Sequence, residues 1–428
     1  MKLICADLDG PVPAVPRRTV GAQWVLVRLH GCPLGFIFPP ADGCTPQELR
    51  HLALRELAWP IAQHVAADTL GANPGDPGAV AELPRACASA QVAARTFVTV
   101  AVCTRDRAAQ LPECLDALAA LDYPDACLDL VVVDNAPSDS ATRELVARYP
   151  RLRYVCEPRP GLDWARNRAV REARGDIVAF TDDDVSVDAQ WVRAIAAAFE
   201  EEPHAMCVTG LVVPDEIDTP AQALFETYGG FGRGFHRWVY RVTPGKSAAR
   251  SYGGTGRFGT GANMAFRRAF FEREGLFDPA LDVGTPANGG GDLEMFFRVL
   301  KAGHALVYEP RALVRHRHRR DYASLRAQIA NNGIGFYAYL VRTAEAYPAE
   351  RLAVFRLGVW WLWWWNARRL VRALVRPRAF PLDLVLAEFK GSFVGLRRYA
   401  ASRRCAADVL RRFGPPAGPL PAAAEEAP

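Results

Sequence analysis

The chain has 428 residues, half of them apolar, enough for two or three domains built around sizeable cores. Its net charge is +5, with four lysines (Lys2, Lys246, Lys301, Lys390) among 52 basic residues, a bias that fits coding preference. No basic run is interleaved with aromatic residues, which argues against a nucleic-acid partner.

In chain order, Leu3-Ile4-Cys5-Ala6-Asp7-Leu8-Asp9-Gly10 resembles the nucleophile loop of haloacid-dehalogenase-type phosphatases. That chemistry needs a lysine further along the same domain, and residues 11 to 95 hold none, so a strand ending in an Asp-Gly turn is expected instead. Strands are predicted over Trp24 to Leu29 and Gly35 to Phe38, then a helix near Thr45 to His64. A Gly/Pro/Ala-rich linker from Gly71 to Pro84 closes an N-terminal region, residues 1–95, that carries no motif of its own.

From Thr96 onward strands and helices alternate. The strands are Phe97 to Cys103, Leu128 to Val133, Leu152 to Cys156 and Asp176 to Thr181; the helices are Leu111 to Leu121, Asp139 to Tyr149 and Leu162 to Arg174. Wholly apolar strands alternating with helices predict an α/β domain, residues 96–320, with a mainly parallel sheet covered on both faces. Residues 321–428 read as a helical extension with a Trp cluster (Trp360, Trp361, Trp363, Trp364, Trp365) beside Arg368, Arg369 and Arg372, ending in a Pro/Ala/Glu-rich tail from Pro415. That cluster reads equally as core or as an anchor at a membrane surface. The longest apolar stretch, Leu352 to Trp365, is interrupted by Arg356 and is short for a bilayer span; no secretory signal opens the chain. Ten cysteines without a C-x-x-C pair read as free thiols in a reducing compartment. A cytoplasmic protein, peripheral at the inner face of a membrane, is the expectation.

Ligands of such sheets collect at the carboxyl ends of the strands. There stand Cys103-Thr104-Arg105-Asp106-Arg107, Val133-Asp134-Asn135 and Thr181-Asp182-Asp183-Asp184. An Asp after a strand is usually a turn former or helix cap, the reading preferred for Asp139. Three consecutive aspartates repel one another unless a cation is present, and oxygen ligands favour Mg²⁺ or Mn²⁺.

The series VAVCTRDR, VVVDNAPSD and GLDWARNRAVREARGDIVAFTDDDV resembles the nucleotide-binding half of family 2 glycosyltransferases, and GTGANMAFRR with GGGDLEMFFR resembles their acceptor half. The likeness runs from about Thr96 to Tyr339 and implies the GT-A fold and inverting sugar transfer. It places Thr104, Arg105 and Arg107 around the nucleoside, Asp134 on the base, and Arg166 with Asn167 near base and diphosphate. Asp182 is implied at the ribose, Asp183 beside it, and Asp184 on a Mn²⁺ or Mg²⁺ ion. A histidine after the last core strand completes the metal shell in the family; His316 comes first here and His318 second. Asp292 is implied as the base that deprotonates the acceptor hydroxyl, with Glu294 in reserve. Many relatives carry Glu immediately before this Asp, where Gly291 stands here. Gly290 and Gly291 leave room for the acceptor, and Asn263 is expected to face it.

The donor implied is a nucleotide sugar, first of all a UDP-sugar. The acceptor is a saccharide (as in cell-envelope polysaccharide synthesis), a lipid-linked saccharide or a small molecule. A nucleotidyltransferase of similar fold is the rival enzyme, disfavoured because CTRDRAAQ lacks a Gly-rich phosphate loop. A non-catalytic, membrane-associated nucleotide-binding scaffold is the other.

Overall fold

A computed structural model describes residues 2–17, 23–72, 95–243, 246, 248, 256–378 and 380–416. Most of the expected linker and the tail beyond Pro416 lie outside them. The N-terminal unit holds β1 (Ile4–Asp7), β2 (Val25–Leu29) and β3 (Cys32–Ile37) in the order β1-β2-β3. The single helix expected after them is two. The first, Pro46–Glu56, opens on a capping box made by Thr45 and Glu48. The second is Ala58–Ala72; Pro60, which has no N–H and whose ring would crowd the Glu56 carbonyl, prevents one continuous helix.

The central sheet contains β4 (Val98–Thr104), β5 (Leu128–Asn135), β6 (Leu152–Glu157), β7 (Ile177–Asp182), β8 (Val185–Val187), β9 (Ala205–Pro214), β10 (Trp238–Tyr240), β11 (Asn263–Arg267) and β12 (Ala305–His316). Their order is β10-β12-β9-β11-β7-β4-β5-β6, with β8 also on β12. β7, β4, β5 and β6 are mutually parallel, as are β9 and β12, whereas β11 runs against both β7 and β9. This is the expected mixed, mainly parallel sheet. Alternation along the strands explains the helices on both faces. Val98, Val100 and Val102 join Leu115, Leu118 and Trp191 in one core, while Ala101, Val131 and Phe180 join Ala165, Phe266 and Phe296 in the other.

Two features of this frame position the site. First, β8 follows β7 by a two-residue turn and pairs with the end of β12, placing Val185 opposite His316. The acidic run is therefore held in a turn between β7 and a short strand paired with the end of β12, far away in sequence. Second, the C-terminal helices Tyr322–Ala346 and Leu382–Phe413 pack on each other and on the segment before Asp292. The Tyr399 hydroxyl donates to Asp278 (2.9 Å), and Ser402 Oγ accepts from the Ala287 N–H (2.7 Å).

The N-terminal unit is packed against the same frame. Leu3 and Leu26 share a core with Leu211, Val213 and Leu313 of β9 and β12, and Arg28 reaches Asp188 (2.6 Å), just after β8.

Candidate active site

Asp182 closes β7, and Asp184 lies in the turn to β8. An Asp184 carboxylate oxygen stands 3.4 Å from His316 Nε2. Ligand-capable atoms of Asp182, Asp184 and His316 all lie within 4.8 Å of one another, a donor set of two carboxylates and one imidazole that suits Mg²⁺ or Mn²⁺. Behind it runs a buried chain. His316 Nδ1 is 3.1 Å from His318 Nδ1, and His318 Nε2 is 2.7 Å from Glu226. His318 therefore backs His316 and does not meet Asp184.

Burial pushes the His316 imidazole down to about 4, although Asp184 pulls the other way. Burial also works to raise Asp184, but His316, Arg107 and Arg319 outweigh it and hold that carboxyl below its usual range. The pair is thus a neutral imidazole beside an ionised carboxylate. Asp182 keeps a third of its side-chain surface exposed yet lies deep among charges. Desolvation, followed among the raising causes by Asp184, Asp183 and Asp292, lifts it to about 7 against the pull of Arg166.

Asp183 points the other way. Its two oxygens take Thr104 Oγ1 (2.7 Å) and the Arg107 guanidinium (2.5 Å), and Arg107 also reaches Asp184 (3.2 Å). Thr104 and Arg107 are thereby tied to the acidic turn, while Arg105 remains exposed beside Asp106 (3.7 Å). Asp134, fully buried at the end of β5, accepts from Tyr154 (2.9 Å) on one oxygen and has no partner for the other. An unsatisfied buried acceptor of this kind is costly without a ligand donor.

Arg166 links this region to the second constellation. It donates to Asp163 (3.1 Å), lies 3.8 Å from Asp182 and packs over the Phe277 ring. Asp292, on the first turn of the helix Gly291–Lys301, is half-buried; its carboxylate accepts from the Gly261 N–H at 2.9 Å. Asp163 was not anticipated. It is buried beside Gly291, one of its oxygens has no hydrogen-bond partner, and burial, then the Asp292 and Asp278 charges, push it up to about 6 against Arg166. The clue in the sequence was the carboxylate missing at position 291.

Four expected site residues are placed elsewhere. Asn263 is buried in the core: it accepts from the Trp191 indole (2.9 Å) and donates to the Leu211 and Ala312 carbonyls (3.1 and 2.8 Å), so it does not face an acceptor. Asn167 spends both amide atoms on the Phe277 backbone, at 2.9 and 3.0 Å. Glu294 has no exposed surface and is clamped by Arg298 and by Arg342 (2.6 Å), which removes it from the candidates for a base. Gly290, at φ +106, has the Gly335 carbonyl 2.7 Å from its missing Cβ, so it serves helix packing and not acceptor space.

Residues 99–275 match the model of the family described as Glycosyl transferase family 2. The chain is 24% identical over 233 residues to the glucosyl-dolichyl phosphate glucuronosyltransferase of Haloferax volcanii, covering 51% of this chain and 69% of that protein. It is 27% identical over 173 residues to polypeptide N-acetylgalactosaminyltransferase 11 of Xenopus tropicalis, covering 39% of this chain and only 28% of that longer protein. Among solved structures it is similar to the mannosyltransferase PcManGT from Pyrobaculum calidifontis in complex with GDP-Man and Mn²⁺. There the identity is 21%, the TM-score 0.45 and the coverage 74% of this chain and 88% of that one.

Proposed function

We propose, from the match of residues 99–275 to the model of the family described as Glycosyl transferase family 2, that the protein transfers a hexose with inversion from a nucleotide sugar, first of all a UDP-sugar, to an acceptor hydroxyl. The observation that carries this reading is a juxtaposition. Arg166 lies 3.8 Å from Asp182, a member of the Asp182, Asp184, His316 group, and both Arg166 and Asp292 border Gly261.

In this reading Asp292 takes the proton of the acceptor hydroxyl as its oxygen bonds to the anomeric carbon. The bond from that carbon to the diphosphate breaks, and the nucleoside diphosphate leaves on the opposite face. Arg166 and Arg107 supply positive charge toward the leaving group. The unpartnered oxygen of Asp134 takes an N–H of the base. A Mg²⁺ or Mn²⁺ ion, when bound, would be held by Asp182, Asp184 and His316 and would neutralise the departing diphosphate. Asp183 keeps the turn in shape through Thr104 and Arg107.

A peripheral membrane contact belongs to the same proposal. No helix among the described residues is long and apolar enough to cross a membrane. The helices from Arg351 to Val375 nonetheless leave Phe355, Trp363, Trp364, Val371, Leu374 and Val375 more than half exposed. Arg368 and Arg372, the former over the Trp364 ring, accompany that face. Apolar side chains flanked by arginine fit a bilayer bearing anionic lipid. This face favours a lipid-linked acceptor, the class named for the Haloferax relative. The described residues of the N-terminal unit and of the C-terminal helices serve in this view as supports for the domain between them.

The test is a panel of nucleotide sugars with Mn²⁺ or Mg²⁺, read by donor hydrolysis, transfer to lipid-linked acceptors and thermal stabilisation. A response to UDP-sugars is expected. Stabilisation by a nucleoside diphosphate without any turnover across the panel would defeat the catalytic reading.

A further inference from the structure

The N-terminal unit gathers two histidines and an aspartate that the transfer reaction does not use. His30 lies at the tip of the β2–β3 hairpin, where it and Gly31 both take positive φ (51° and 75°), as a tight two-residue turn requires. His64 and Asp68 stand one turn apart on the helix Ala58–Ala72 and so share a face. The three side chains converge. His30 Nδ1 is 2.8 Å from Asp68 Oδ2, and His64 Nε2 is 3.1 Å from the same oxygen. None is more than 10% exposed at its side chain, and their ligand-capable atoms lie within 4.8 Å of one another.

The chemistry of this trio matches a particular cation. Two imidazoles and a carboxylate are ligand types that zinc takes. In a tetrahedral zinc site with bonds of about 2.0–2.1 Å, neighbouring ligand atoms stand roughly 3.3 Å apart. The two His–Asp separations would open by about half an ångström or less to reach that spacing, and ligand-capable atoms of His30 and His64 lie within 4.8 Å of each other. Of the charges nearby, Asp9 accepts from the His30 N–H (3.1 Å) and adds to the attraction for a cation. Arg311 is already committed to Glu309 (2.8 Å) and Glu201 (3.0 Å).

We infer that His30, His64 and Asp68 form a structural zinc site, with water as the fourth ligand. Its place in the fold gives it a task. The unit's own core is small, centred on Ala6, Val25, Val27, Ile37 and Leu49, and small units gain most from a metal staple. Zinc would pin the second helix to the hairpin. That hairpin packs through Leu26 on β9 and on β12, which ends in His316, and through Arg28 on Asp188, just beyond β8. The site is separate from the acidic run and does not depend on the transferase reading.

The full chain, stripped by a chelator, re-equilibrated with zinc alone and desalted, provides the test by elemental analysis. Relative to the unsubstituted chain, His64→Gln is expected to lose one equivalent of zinc, and Asp184→Asn is expected to keep it. Zinc should raise the unfolding midpoint of stripped Asp184→Asn protein and leave that of His64→Gln unmoved. Should His64→Gln fail to fold by circular dichroism, cobalt loading of Asp184→Asn decides the matter through the intense visible absorption of tetrahedral cobalt. Equal zinc content with and without His64, or a purely octahedral cobalt spectrum, overturns the proposal and leaves a hydrogen-bonded His-Asp-His cluster.

Discussion

Asp163 and Gly291 share one space: an Asp163 carboxylate oxygen lies 2.3 Å from the point where a Cβ on residue 291 would stand. Position 291 bears no carboxylate, and one from the helix Leu162–Glu172 occupies its neighbourhood. Asp163 is in turn tied to Arg166, and Arg166 approaches Asp182. Gly291→Ala should therefore displace Asp163 and tilt the first turn that bears Asp292. Overpacking of this kind costs about 1–3 kcal/mol. Thermal unfolding should register the loss, turnover should fall, and Asp163→Gly in the same chain should restore part of the stability. Additive losses in the double variant would deny the coupling.

Asp163 also carries a pH signature. The folded chain holds its proton more tightly than the unfolded chain does, since burial lifts it from 3.8 to about 6. Its contribution to stability is complete below the unfolded value and is lost as pH rises through about 6. Asp163→Asn should flatten the stability profile between roughly pH 4 and 6. Denaturant melts across that range measure it, and an unchanged slope would contradict the assignment.

Asp292→Asn should abolish transfer while nucleotide binding persists, because the amide cannot accept the acceptor's proton. Glu294→Gln should do something different. It breaks a buried pair with Arg298 and Arg342, and removing one partner of such a pair costs about 3–5 kcal/mol. The two variants are separated by comparing turnover with unfolding midpoint, and retained turnover in Asp292→Asn would reassign the base.

Within the acidic run, Asp184→Asn should lose both activity and the stabilisation that Mn²⁺ gives with nucleotide. Asp183→Asn should keep metal dependence but loosen Arg107, raising KM for the donor more than it lowers kcat. Calorimetric titration of Mn²⁺ with nucleoside diphosphate distinguishes them. Identical behaviour of the two variants would remove the division of labour between these neighbours.

The exposed face of the Arg351 to Val375 helices should bind vesicles. Each large apolar side chain buried in lipid contributes roughly 1.5–3 kcal/mol, so Trp363→Ser with Leu374→Ser should weaken sedimentation with anionic vesicles by at least about tenfold. Equal binding of the variant would place the contact elsewhere.

Much of the frame was legible from sequence because β-branched runs such as Val98 to Val102 and Leu130 to Val133 admit few alternatives to buried strands. The turn at Asp182 to Asp184 was legible for the same reason, since it follows such a run. What periodicity could not supply was direction. Asn263 and Asn167 look like site residues by motif, yet the amide of Asn167 is consumed by the Phe277 backbone and that of Asn263 by the Trp191 indole and the Leu211 and Ala312 carbonyls. Glu294 differs from Asp292 by two positions, and a helix turns that step through about 200°, away from the side of Asp292 and toward Arg342. Asp163 and Glu226 act through contacts with residues about 90 to 130 positions later, which no local pattern reports.

The pairing of β8 with β12 also limits how this stretch can vary. Val185 sits opposite His316, and the Arg317 N–H bonds the Asp184 carbonyl at 3.0 Å. Removing or adding one residue between Asp182 and Val185 would shift β8 by one step and turn each of its side chains to the other side of the sheet. Asp184 would then leave His316 even with every side chain of the trio intact. The length of that turn is thus as much a part of the site as its chemistry, and insertions or deletions there should be tolerated less than many substitutions.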